Sequence, residues 1–293
     1  MLFHVIKQRK NWYIISLAIL ILGVGSLLTQ GLNLGIDFTG GNIVELRFDQ
    51  PVAVQDVRDT LAEFNLQDSR VQSSGENTYL IRTKVISQEE SDQAFSAVSE
   101  KLGGATILRN ELVGPVIGKE LTKDALLALG VAGILMVIYI SWRFEFLQGV
   151  AAIAAILHDV LVMVGMASLL QIEIESFFVA AVLTIVGYSI NGTIIIFDRV
   201  RENLRLNRRE DLAELVNKSV WQTMGRAINT NLTVVIVLLA LIFLGGHTIQ
   251  NFVALLLVGV LTGTYTSIFI SSTLWYDLRN NRKKRNRTVK SPA

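Results

Sequence analysis

Runs of about 20 residues almost free of charge recur along this chain, and they limit its fold more than any other feature. A bilayer core is crossed by about 20 apolar helical residues, and only closed hydrogen-bonded elements survive there. Such runs extend from Trp12 to Leu28, Ala125 to Trp142, Leu147 to Leu170 and Ser176 to Phe197. A longer region, Ala227 to Tyr276, is broken in its middle by Gly245, Gly246, His247 and Gln250, so it holds two spans. Six transmembrane helices are expected. Composition agrees, because 51% of the 293 residues are apolar and 18% charged, a balance that soluble domains rarely reach.

Charge gives the orientation. Lys7, Arg9 and Lys10 precede the first run and Arg143 follows the second. Arg199, Arg201, Arg205, Arg208, Arg209 and Lys218 follow the fourth, and RKKRNR stands near the end of the chain. The turns around Glu173 and His247 hold no Lys or Arg. Under the positive-inside rule, both termini are cytoplasmic and the segment after the first span is not. That first run has the basic start of a signal peptide but is long and lacks an A-x-A-like site, so it reads as an uncleaved anchor. The formal charge of +2 is clustered, which speaks of topology and anionic lipid rather than of nucleic acid. With no cysteine and three scattered histidines, neither a thiolate site nor a histidine metal cluster is expected. No cofactor is expected either, and nothing points to an enzyme.

Between Gln30 and Asp124 the pattern changes to short alternating runs. Asn42 to Phe48, Ser69 to Ser73, Thr78 to Val85 and Ala105 to Val113 read as strands, while Val54 to Phe64 and Glu89 to Leu102 read as helices. SSGEN joins the middle strands as a hairpin. The order β-α-β-β-α-β is that of a ferredoxin-like α+β domain. The fold class is therefore a polytopic α-helical membrane protein with six transmembrane helices and a ferredoxin-like extracytoplasmic domain between helices 1 and 2. Its segments are residues 1–29, the cytoplasmic N-terminus and first helix; 30–124, the extracytoplasmic domain; 125–276, helices 2 to 6; and 277–293, a basic cytoplasmic tail. Glu89, Glu90 and Asp92 suit a helix start, and the sheet edges could pair with an extended chain.

A charge in mid-bilayer costs about 2.5 to 3.5 kcal/mol on insertion scales, so each one is a functional candidate. The third run holds His158 and Asp159; the fourth holds Gly187, Tyr188, Ser189, Asn191 and Gly192; the fifth opens with Gly225, Arg226, Asn229, Thr230 and Asn231. Arg226 could instead snorkel to headgroups and the asparagines serve as interhelical glue. Gly259 and Gly263 form a G-x-x-x-G pair, and Ala151, Ala152, Ala154 and Ala155 line the third run, which suits close helix packing.

The pieces GIDFTGG at 35–41, HDV at 158–160, GYSINGTIIIFDRVREN at 187–203, and then QTMGRAINTNLT and LIFLGG, resemble the SecF family of bacterial protein translocase accessory subunits. The resemblance covers nearly the whole chain in order. It implies a multi-pass protein of the inner membrane that pairs with SecD. Together they would associate with the SecYEG channel and use the proton-motive force to move unfolded preproteins. It carries site roles to Arg226 and Asn191 as proton-coupling residues, with Asp159 and His158 as further candidates. It carries motif roles to Gly35, Asp37, Gly40, Gly41, Gly187, Gly192, Asp198 and Arg199. The family's fourth-span motif reads S-x-N-D-T, with an aspartate where this chain has Gly192, which weakens the case that this subunit carries protons itself. The alternative function is a solute or drug exporter related to the resistance-nodulation-division transporters, and a third is a passive scaffold for channel assembly.

Overall fold

A computed structural model describes residues 3–207 and 209–289; Arg208 and the last four residues of the expected basic tail lie outside them. Among the described residues, six helices are long and apolar enough to cross a membrane, and one small antiparallel sheet forms. The chain divides into two compact units, Leu34–Leu127 and the remainder.

The GIDFTGG motif stands at the start of the smaller unit. Here it forms a one-turn helix, α2 (Ile36–Thr39), with Gly35 at its N-cap and Gly40 at its C-cap. Gly40 and Gly41 have φ of 73° and 146°, and a Cβ on Gly41 would lie 2.7 Å from the Thr83 carbonyl oxygen. Only glycine fits there without strain. Strands β1 (Gly41–Phe48), β2 (Arg70–Gly75), β3 (Thr78–Thr83) and β4 (Ala105–Val113) follow, with helices α3 (Val54–Ala62) and α4 (Gln88–Lys101) between them. The strand order is β2-β3-β1-β4, antiparallel throughout. Alternation along β1 and β3 turns Val44, Leu46, Phe48, Tyr79 and Ile81 toward the two helices. There they bury Val57, Leu61, Phe95 and Val98 in one core. A reciprocal capping box opens α4, in which Ser87 Oγ accepts from the Glu90 amide and Glu90 accepts from the Ser87 amide.

Helix α5 (Pro115–Arg143) starts ten residues before the apolar run at Ala125. Pro115 opens it in the position proline favours, and good helix formers such as Lys119, Glu120 and Leu121 extend it beyond the apolar stretch. A Cβ on Gly118 would lie 3.2 Å from the Phe38 carbonyl oxygen, so the start of α5 rests on the glycine motif.

The larger unit gathers α1 (Arg9–Gln30), α6 (Phe146–Leu169), α7 (Phe177–Leu206), α8 (Leu212–Leu244), α9 (His247–Tyr265) and α10 (Ser272–Val289). The charged stretch after Phe197 is helical, which the apolar run alone did not indicate. It contains neither glycine nor proline up to Asn207, and the pairs Asp198–Arg201 and Arg199–Glu202 brace it at i,i+3. Asp211 caps α8 by accepting from the Ala213 and Glu214 amides. Small residues set the helix contacts. Gly23 of α1 meets Gly165 of α6 backbone to backbone, and Gly259 of α9 accommodates Ile185 of α7. Ahead of α1, Val5 and Ile6 are buried, and Phe3 packs on Trp221 and Trp12. The Val5 amide donates to Asn217 Oδ1 at 2.8 Å, which ties this segment to α8.

Candidate functional site

The expected site residues separate into two groups. Asp159 and His158 lie on the inward face of α6, and Asp159 is fully buried. Its Oδ2 accepts from Ser189 Oγ of α7 at 2.6 Å, and its Oδ1 accepts from Thr266 Oγ1 at 2.5 Å. His158 Nδ1 stands 3.2 Å from both Asp159 Oδ1 and Thr266 Oγ1, while its Nε2 is buried without a partner among the described residues. A buried carboxylate with two hydroxyl donors and an imidazole beside it has the hydrogen bonds that a charge removed from water requires.

Thr266 opens a π-helical segment, Thr266–Ser271, between α9 and α10. Ser267 donates to the Ser189 carbonyl at 3.2 Å and meets Thr193 Oγ1 at 3.3 Å. Gly192 permits this approach, since a Cβ there would lie 2.7 Å from Ser267 Oγ. The place where the resemblance leads one to expect an aspartate side chain is thus taken by the serine of a neighbouring helical segment. Thr266 and Ser267 escaped the sequence reading. Their signal is the run of hydroxyls through Thr262, Thr264, Thr266, Ser267, Ser271, Ser272 and Thr273 in an otherwise apolar span. Ser271, Ser272 and Thr273 bond carbonyls four residues back, and π-segments of this kind concentrate at functional sites.

The second group looks outward. Gly187, Tyr188 and Asn191 form an exposed face of α7, and Arg226, Asn229 and Thr230 an exposed face of α8. The side chains of Tyr188, Asn191, Arg226 and Asn229 have no hydrogen-bond or ionic partner among the described residues, and nothing lies within 4 Å of a Cβ on Gly187. The structure does not bring Arg226 to Asp159. Helices α7 and α8 run antiparallel, with Arg199 Nε donating to Gln222 Oε1 at 2.7 Å and Asn203 Nδ2 to Ser219 Oγ at 2.8 Å. Continuing that register sets Arg226 level with Ile195 and Ile196, whereas Asp159 is level with Ser189. At 1.5 Å per residue the two charges differ in depth by about 10 Å.

Asp198 and Arg199 join elements at the charged end of the bundle. Arg143 Nη2 donates to Asp198 Oδ2 at 2.5 Å, tying the α5–α6 turn to α7, and Arg199 links α7 to α8 through Gln222. Among the described residues, no three His, Asp or Glu side chains gather as metal ligands.

Residues 93–281 match the family described as "Protein export membrane protein SecD/SecF, C-terminal", and residues 25–52 match the "SecD/SecF GG Motif". Protein translocase subunit SecF of Acidaminococcus fermentans is 42% identical over 292 residues, covering 96% of this chain and 99% of its own. The SecF subunit of Sebaldella termitidis is 40% identical over 283 residues, covering 94% of this chain and 92% of its own. The crystal structure of SecDF from Thermus thermophilus, a translocon-associated membrane protein, superposes with a TM-score of 0.87 at 37% identity. That match takes in 95% of this chain and 39% of the longer SecDF chain.

Proposed function

Because the chain belongs to the SecF family of protein translocase subunits, a multi-pass accessory part of the protein-export machinery with SecD as its partner, we propose that it couples the proton-motive force to preprotein movement at a site completed by SecD. One observation carries this reading: the side chains of Asn191 on α7 and Arg226 on α8 are exposed within candidate membrane-spanning helices and have no hydrogen-bond or ionic partner among the described residues. An unpaired arginine in a span is costly, up to about 2.5 to 3.5 kcal/mol at the centre, and a carboxylate on a covering helix lowers that cost. In this arrangement Arg226 discharges a titrating carboxylate of SecD, and Asn191 offers it a neutral hydrogen bond. His158 and Asp159 form a separate, internally satisfied junction of α6, α7 and the π-segment. Gly187 leaves room for the covering helix.

The charge distribution supports a cell inner membrane location with both termini cytoplasmic. Residues 30–124 then form an extracytoplasmic domain of the ferredoxin-like kind, to which the strand order and the two interposed helices correspond. Residues 1–29 carry the cytoplasmic N-terminus and first helix, 125–276 the remaining helices, and 277–293 the basic cytoplasmic tail. The motif of Gly35, Asp37, Gly40 and Gly41 stands at the start of the sheet and against the start of α5, where helix movement reaches the domain. SecYEG and unfolded preproteins are the further partners, and the role requires no cofactor or enzymatic chemistry. A solute exporter finds no support, since the full-length relatives are translocase subunits.

The absence of cysteine makes the shared face testable. Asn191→Cys should react with a small maleimide in the chain alone and be protected in the complex with SecD. Proton-motive-force stimulation of preprotein transport into vesicles should require both subunits. Equal labelling with and without SecD, or full stimulation by this chain alone, refutes the shared site.

A further inference from the structure

The charged end of the bundle carries basic residues that no acid neutralises. Nearly every carboxylate around it is already engaged. Asp198 pairs with Arg143 and Arg201, Glu202 with Arg199, Glu210 with Lys218, and Asp277 with Arg9, while Asp211 caps α8. Arg205, in the last turn of α7, and Arg279, in α10, have no ionic partner among the described residues. Both line one cleft of about 450 Å³ together with Arg201, Leu204 and Glu145. With three guanidiniums and one carboxylate, the cleft has a net positive charge.

Two of the three guanidiniums are fixed before any ligand arrives. Arg279 lies over the Trp275 ring at 5.1 Å from its centroid, and Trp275 is itself fully buried. Arg201 Nη2 donates to the Arg143 carbonyl at 3.2 Å. Groups held in place in advance lose little freedom on binding. Arginine forks match phosphate oxygens in geometry as well as in charge. The surroundings indicate where the phosphate comes from. Trp142, Phe146 and Leu206 are 85%, 78% and 71% exposed near the same ends of the helices, as apolar side chains are where they meet acyl chains. A second cleft, of about 430 Å³, lies against α10 between Phe146, Leu147, Leu278, Asn281 and Arg282. Its Phe146, Leu147 and Leu278 follow in sequence on Glu145 or precede Arg279 of the cationic cleft, so apolar side chains adjoin the cationic ones along the chain.

We propose that the cleft between the end of α7 and α10 is a binding site for the phosphate of an anionic glycerophospholipid, held by Arg201, Arg205 and Arg279. The site is independent of proton coupling, and its test reads lipid rather than transport. The full-length protein, purified in detergent, is equilibrated with phosphatidylglycerol or phosphatidylethanolamine, and bound lipid is counted by native mass spectrometry. Wild type should retain phosphatidylglycerol in preference to phosphatidylethanolamine. Arg205→Gln and Arg279→Gln should each weaken that retention about fivefold, and the double variant about thirtyfold, by the usual worth of a basic residue at a lipid surface. Lys7→Gln/Lys10→Gln, which removes the same charge elsewhere near the same end of the bundle, should leave retention unchanged. The proposal is overturned if the single variants retain lipid like wild type, or if Lys7→Gln/Lys10→Gln loses as much as the double arginine variant. It is overturned equally if inorganic phosphate alone binds as tightly as the lipid, which would make the cleft a general anion site.

Discussion

Arg226→Ala and Asp159→Asn remove the two intramembrane charges one at a time, and the structure gives them different consequences. A coupling charge is useful only if its interaction changes when the helices move. For unit charges at an effective dielectric constant of about 20, a 1 Å displacement near 4 Å changes the energy by about 0.8 kcal/mol. The same displacement near 10 Å changes it by only about 0.15 kcal/mol. Asp159 is offset from Arg226 by about that larger distance, by the α7–α8 register and the helical rise. It therefore cannot serve as the acid that Arg226 discharges. Arg226→Ala should abolish the response of export to the proton-motive force while the complex with SecD still assembles. Asp159→Asn should keep at least about half of it, at a stability cost of about 1 to 3 kcal/mol from the hydroxyl left without a carboxylate acceptor. The assay is preprotein transport in energised vesicles with and without an uncoupler, normalised to subunit level. If Asp159→Asn is as inactive as Arg226→Ala with assembly intact, the proton path runs through this chain and the depth argument is wrong.

Glu76→Cys, in the exposed β2–β3 turn, should react with an impermeant maleimide in sealed spheroplasts, and Leu206→Cys only after the membrane is opened; labelling at 206 in sealed spheroplasts refutes the orientation. Gly192→Ala should destabilise the detergent-solubilised protein by about 1 to 3 kcal/mol, because its Cβ would meet Ser267, and Ser267→Gly should recover part of that loss. Thermal unfolding reads both, and strictly additive effects would disprove the contact. Hydrogen bonds from Ser87 hold the Glu90 carboxyl below the usual carboxylate range. Its contribution to α4 is thus fully present above the unfolded carboxylate pKa of about 4.3 and is lost as pH falls through the lower folded value. Hydrogen exchange at the start of α4, corrected for intrinsic rate, should rise across that window in wild type and show no such transition in Glu90→Gln.

What the sequence disclosed follows from which interactions are local. The apolar runs located every span, because a bilayer imposes its length on a single segment without reference to its neighbours. The same logic missed the helical extensions at Pro115–Asp124 and Asp198–Leu206. The first rests on a proline at its start and good helix formers, the second on i,i+3 pairs, neither of which apolarity registers. The strands of the smaller unit were legible from alternation, to within about two residues at their ends. Asp159 and Arg226 were identifiable because charge is rare in a span. That Asp159 faces inward and Arg226 outward was not, because it depends on which sides of α6 and α8 pack against the other helices.

The substitution at Gly192 acquires its meaning only in three dimensions. Read along the chain, glycine in place of aspartate is the loss of a titrating group. In the fold it is what lets Ser267 reach the Ser189 carbonyl, while Ser189 donates to Asp159. A carboxylate at 192 would have to displace Ser267 and disturb the hydroxyls that satisfy Asp159. Asp159, buried and bonded to two hydroxyls, therefore has its partners inside this subunit. Arg226 faces outward with no partner among the described residues, which is why the proposed site takes its acid from SecD.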